Sequence, residues 1–206
     1  MGYNAATFTN AEDHLWRPIE SVGVRLVRGD WSSPISERPG ETSVLGTMSK
    51  ATGVAFDLPK DAEWEYACRA GSSGKRGRGT SGLEMTESEV KQTASYGNKE
   101  TAVVGAKAPN AWGIYDLYGN VWEFCLDYRL SGADWYQSFG GKGYADPVVD
   151  PFVNTGSTTD QHVDRGQSYT GGLTQFRAAY RSYYTHSYGG GATAQGFRVR
   201  APAVAE

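Results

Sequence analysis

Between residues 41 and 71 the apolar residues recur at helical rather than strand spacing. In ETSVLGTMSKATG, 41–53, Val44 and Met48 lie one turn apart, Thr42 or Ser43 can cap the start, and Gly53 supplies a stop. A short helix is expected there. VAFDLPKDAEWEYACRAG, 54–71, carries a stronger version of the pattern. Pro59 suits a first helical position, Asp61 and Glu63 face the positive end of the helix dipole, and Arg69 and Gly71 mark the far end. Trp64, Ala67 and Cys68 fall at i, i+3 and i+4, which gives this second helix its packed face.

From residue 110 the chain turns to NAWGIYDLYGNVWEFCLDYR, dense in aromatics and turn residues. Val121, Phe124 and Leu126 do not alternate cleanly, so a turn feeding a short buried strand is expected. Residues 131–161 are polar, Gly-rich and irregular. Further on, Phe176, Ala178, Tyr180, Phe197 and Val199 alternate as half-buried strands do. That predicts strands over about 175–182 and 196–200, with a long Tyr/Ser/Gly/Thr loop between them. Residues 71–82, GSSGKRGRGTSG, contain a Gly-x-Gly-x-x-Gly match at Gly77, Gly79 and Gly82. The dinucleotide motif needs a strand before it and a helix after it, and neither is evident, so a surface loop is the reading.

With 206 residues, a hydrophobic share of 39 % and 13 % aromatics, the chain can bury the core of one domain. The 27 glycines and 6 tryptophans suggest loops pinned by large anchors. A net charge of -3 speaks against a dedicated nucleic-acid binder. No apolar run approaches the roughly 20 residues that span a bilayer, so no membrane insertion by this chain is expected. Nor does MGYNAATFTNAEDHLW have the basic start and apolar stretch of a secretory signal. Cys68 and Cys125 are too few for a disulfide framework or a zinc site, which leaves two buried thiols or one bridge. His14, His162 and His186 form no cluster in the sequence, and each reads as a surface or packing residue.

Four segments occur in order: Asp57 to Gly71 (DLPKDAEWEYACRAG), Asn110 to Asp127 (NAWGIYDLYGNVWEFCLD), Arg165 to Tyr169 (RGQSY) and Gly196 to Arg200 (GFRVR). Together they resemble the signature series of the sulfatase-modifying-factor, or formylglycine-generating-enzyme, domain family. The resemblance implies an irregular α+β domain of the C-type-lectin-like type, covering residues 1–206 as one unit. It also implies strands ahead of the segment resembling GYNAATFTNAEDHLWRPIESV, so the family's N-terminal strands are expected to be missing from 1–206, and the partner of the GFRVR strand is left open.

The family's enzymes oxidise a substrate cysteine with copper held by two cysteines that follow the RGGS-type motif, soft thiolates being what Cu(I) prefers. Aligned on RGQSY, those positions fall on Gly171 and Phe176, so neither copper binding nor catalysis is expected. The resemblance further implies a structural Ca2+ site at DLYGNVWE, with side-chain oxygens from Asp116 and Glu123 and carbonyls from Gly119 and Val121. The alternative is that both carboxylates serve the turn without metal.

From Ser168 to Ala205 there is no Asp, Glu, Lys, Trp or Met. A Tyr/Ser/Thr/Gly alphabet is typical of paratopes, because Tyr gives contact area with few rotors and the small residues adapt. The candidate ligand-binding residues are Tyr169, Thr170, Gly171, Gly172, Leu173, Ser182, Tyr183, Tyr184, Thr185, His186, Ser187, Tyr188, Ala192, Thr193 and Ala194. Thr170 to Leu173 and Ser182 to Ala194 use only residues that adenine-directed mutagenesis of asparagine codons can produce. In this the chain resembles the variable proteins of diversity-generating retroelements, with 165–200 as the variable segment. The expected function is display of that surface to a protein or cell-surface ligand; the alternative is a formylglycine-generating-type oxidoreductase or an inactive relative.

Overall fold

Residues 6–8, 16–18, 27–29, 34–130, 148–156, 161–185 and 194–202 are described by a computed structural model. Helix α1 (Val44–Thr52) begins where the Ser43 hydroxyl accepts the Gly46 N–H at 3.0 Å, and ends at Gly53 in the left-handed region with φ 75°. Its inward residue is Leu45, fully buried, whereas Val44 and Met48 are 38 % and 36 % exposed. The apolar pair that set the period therefore flanks the core, and the residue between them enters it.

Helix α2 (Asp61–Arg69) follows Lys60, whose N–H donates to the Glu63 carboxylate at 2.7 Å, while the Asp61 N–H donates to Asp127 at the same distance. Two of the free donors of the first turn are thus satisfied. Ala70 takes the left-handed cap, ahead of the expected Gly71, and Trp64 and Cys68 are buried as the spacing requires. Helix α3 (Glu87–Thr93) is absent from the periodicity reading. Its signal is the Thr86–Glu89 capping box, in which each side chain accepts the other's backbone N–H.

Strands β1 (Ala6–Phe8) and β2 (Trp16–Pro18) pair antiparallel. The main sheet comprises β3 (Trp122–Tyr128), β4 (Gln161–Arg165), β5 (Ser182–Thr185) and β6 (Gln195–Gly196) in the order β5-β4-β3-β6. β4 is antiparallel to both neighbours and β6 runs parallel to β3. Alternation along β3 divides the core. Phe124, Leu126 and Tyr128 join Leu45, Leu58 and Phe197 on one side, and Cys125 joins Trp64, Cys68, Val163 and Phe176 on the other.

Two expectations change. Residues 175–182 are not a strand: Leu173–Gln175 form a single 3-10 turn, the chain then runs irregularly, and the strand starts at Ser182. Phe176 and Ala178 are nevertheless fully buried, so the alternation marked burial without a ladder. The Gly77 to Gly82 loop is also less open than expected. A Cβ at Gly77 would lie 2.0 Å from the Cys68 carbonyl oxygen, and the Gly77 N–H donates to the Tyr118 hydroxyl at 2.9 Å. Its glycine permits close packing on α2 rather than a phosphate cradle. Beyond β6, Asp57 and Arg200 exchange backbone hydrogen bonds at 3.1 and 2.8 Å, which gives the GFRVR segment a partner inside the described chain.

Candidate functional site

Arg165, at the end of β4 and wholly buried, organises the C-terminal surface. Its guanidinium is ion-paired with Asp61 and, at 2.9 Å, with Glu65 on α2. It also donates to the carbonyl oxygens of Ala178 at 2.7 Å and Tyr180 at 3.2 Å. Burial works against the charge, but the adjacent carboxylates outweigh it and hold the Arg165 pKa above its ordinary value. The irregular segment 173–181 hangs from this side chain. Phe176 anchors it from the other end, edge-on to Tyr96 and Tyr118. The surface is further tied by Gln175, which donates to the Tyr180 hydroxyl at 3.0 Å, and by the Tyr180 ring stacked on Trp122 at 6.1 Å.

The candidate binding residues divide on this frame. Thr170 and Gly172 are exposed, Tyr183 is 44 % exposed, and Gly171 and Ser182 are half-buried. Tyr184 and Thr185 continue β5 opposite His162 and Gln161. Tyr169 belongs to the interior instead: it is 7 % exposed and its N–H donates to the Asn120 carbonyl at 2.8 Å. Ala194 is likewise buried, its carbonyl accepting the Trp122 N–H, and Leu173 packs in part against the α2 side of the core. His186, Ser187, Tyr188, Ala192 and Thr193 lie outside the described residues. Sequence reasoning missed Arg129, whose guanidinium lies 3.6 Å from the centre of the Tyr183 ring. Only strand register brings those residues together.

The residues of the expected calcium set have other partners in the structure. Glu123 is buried and accepts from Trp64 Nε1 at 2.6 Å and from Arg198 Nη2 at 2.7 Å, with Arg198 Nε on the same carboxylate. The guanidinium also donates to the carbonyls of Tyr115 and Asp116, at 3.2 and 3.3 Å. Arg198 thus already brings a positive charge to this carboxylate and to those two carbonyls. Asp116, at φ 54°, turns a carboxylate oxygen to the Gly105 N–H at 2.7 Å. Gly119 has φ 84°, and a Cβ there would lie 2.0 Å from the Ser95 oxygen, so its role is the close turn; Val121 is buried behind it. Calcium added to chelator-treated protein is expected to leave Tm unchanged within about a degree, because a ligand stabilises only through a site in the folded state. A rise of several degrees would restore the site.

At the two positions that the resemblance assigns to copper thiolates stand a glycine and a phenylalanine. A Cβ at Gly171 would lie 2.2 Å from Gln167 Cγ, and Phe176 fills its position with a ring in the core. Cys68 and Cys125 are free, buried thiols. Burial pushes the Cys68 thiol up to about 11 and Cys125 well above its ordinary value, so both stay protonated near neutral pH.

Under the surface lies Asp164, 1 % exposed, which accepts from Gln195 Nε2 at 3.0 Å and whose Oδ1 meets no donor among the described residues. Burial pushes its pKa up to about 8. A carboxyl raised in the folded state contributes stability that is full below its unfolded value, and that is lost as pH climbs through the folded value. The loss runs at about 1.4 kcal/mol per pH unit. Asp127, also raised by burial, to about 6, acts in the same direction over a lower range. The difference in Tm between wild type and Asp164→Asn is therefore expected to change by several degrees from pH 6 to 8, with wild type falling the more steeply. Parallel curves would mean that Asp164 is already ionised.

A sulfatase-modifying factor enzyme 1-like domain matches residues 5–202. The chain belongs to that family. The formylglycine-generating enzyme of Streptomyces coelicolor is 34 % identical over 172 residues, which cover 74 % of this chain and 51 % of the relative. The chain thus spans about half the length of such a relative. Among solved structures, Treponema denticola variable protein 1 aligns with a TM-score of 0.55 at 29 % identity, over 71 % of this chain and 47 % of that one. PvdO from Pseudomonas aeruginosa aligns with a TM-score of 0.55 at 26 % identity, over 75 % and 56 %. The mixed α/β architecture is that of the formylglycine-generating-enzyme type, and within the family this chain resembles a variable protein.

Proposed function

We propose that the chain is a non-catalytic display protein, a variable protein of the diversity-generating-retroelement kind, presenting Thr170 to Leu173 and β5 to a protein or cell-surface ligand. The observation that carries the reading is the filling of both thiol positions, Gly171 by the Gln167 side chain packed against it and Phe176 by its own buried ring. Likeness to a variable protein supports it. The second reading, a formylglycine-generating oxidoreductase, draws on the names of the curated relatives. Incubation with copper, oxygen and a cysteine-containing peptide separates the two. No formylglycine is expected by mass spectrometry, and its formation would sink the display reading. A reverse transcriptase gene and a near-copy of the final coding segment beside this gene are expected as well.

A further inference from the structure

We infer that the outer edge of β5 takes up an extended segment of a protein partner as an added strand, and that this segment carries carboxylates at alternate positions. The inference rests on the binding role proposed above and gives that partner a chemistry. β5 is the edge of the main sheet, bonded to β4 on one side, and among the described residues nothing pairs with its other side. Natural edge strands are guarded by Lys, Pro, bulges or inward charges. Ser182–Thr185, SYYT, carries no Pro and no charge, and pairs with β4 in unbroken register. The edge is short, at four residues, but lacks those other guards. Such an edge can template strand addition, in which backbone bonds supply affinity and side chains supply choice.

The side chains beside that edge set the choice. Tyr183 opposes Val163, which packs on the α2 side, and Arg181 lies two residues earlier on the same face. Arg129 stacks on the Tyr183 ring at 3.6 Å and donates to the Gln161 side chain at 2.8 Å, and it meets no carboxylate among the described residues. Arg181 is paired with Asp61 at 2.7 Å while its side chain stays 36 % exposed. Two guanidiniums thus bracket an exposed tyrosine. Asp61 and Glu65 of α2 between them match Arg165 and Arg181, so the positive charge of this face that no described carboxylate meets is that of Arg129. From Ser168 to Ala205 the chain offers no acid at all. A strand laid on β5 presents every second side chain to this face, about 7 Å apart. Carboxylates at those positions would be drawn to the charge of Arg129 across the ring of Tyr183, and lysines there would be repelled.

The test uses the whole protein and a fluorescent ten-residue peptide of alternating Thr and Glu, followed by anisotropy at low salt. Binding is expected, weakened at least tenfold when Gln replaces Glu and at least tenfold when alternate peptide nitrogens are methylated. Arg129→Gln, at unchanged Tm, is expected to weaken it severalfold; should that variant unfold, Tyr183→Ser serves instead. Absence of binding at millimolar peptide, indifference to Gln, indifference to methylation, or full binding by the Arg129 variant would each overturn the inference. The display role fails by a different result, formylglycine production, so the two can be lost separately.

Discussion

Replacing Arg198 by alanine is expected to lower stability by roughly 3–5 kcal/mol, the usual cost of leaving one partner of a buried ion pair alone. In a domain of this size that is a fall in Tm on the order of 10 °C. The change strands Glu123 beside Trp64 and removes the donors to the Tyr115 and Asp116 carbonyls, which the guanidinium links to β3. A double variant, Glu123→Gln with Arg198→Met, keeps an acceptor for Trp64 Nε1 and removes the orphaned charge. It is expected to recover at least half of the loss in a thermal melt. A double variant no more stable than the single one would mean that the ion pair is not what the position provides.

Phe197→Ser is expected to cost about 3 kcal/mol or more, because Phe197 is 4 % exposed in the cluster with Leu45, Leu58 and Phe124 and its removal leaves a cavity. Tyr183→Ser, by contrast, is expected to cost about 1 kcal/mol or less, since the ring is 44 % exposed and loses mainly its contact with Arg129. Denaturant unfolding of the two variants measures the difference. A Tyr183 variant as unstable as the Phe197 one would move Tyr183 from the binding surface into the scaffold.

Those two residues also mark what could be read from the sequence. Caps and stops act through neighbouring residues, so Ser43, Gly53 and the acidic start of α2 were legible from local chemistry alone. β4 was not. His162, Val163, Asp164 and Arg165 are all buried and only Val163 is apolar, so the strand carries no hydrophobic alternation. Its polar groups are held by partners far along the chain, Leu126 for His162, Gln195 for Asp164 and α2 for Arg165. The same distance effect hid the site. Composition located Thr170, Gly172 and Tyr183 on the surface, but Tyr169 carries the same letter as Tyr183 and is buried, because its backbone is pinned to Asn120. Glu123 stood in a motif that suggested metal, and the cation it meets comes from a residue near the other end of the chain.

The tether from Arg165 reaches the C-terminal surface through main-chain oxygens, those of Ala178 and Tyr180. Every amino acid supplies such an oxygen, so the grip does not depend on which side chains stand at the exposed positions 177 and 179. Rewriting those two letters leaves the tether intact, whereas Tyr180 also holds the surface through its ring on Trp122 and its hydroxyl on Gln175. What it asks is that Phe176 and Ala178 stay buried and that Arg165 stay paired with α2. A surface built this way can be searched by mutation with little loss of folded protein, because inheritance of shape and novelty of contact are assigned to different atoms.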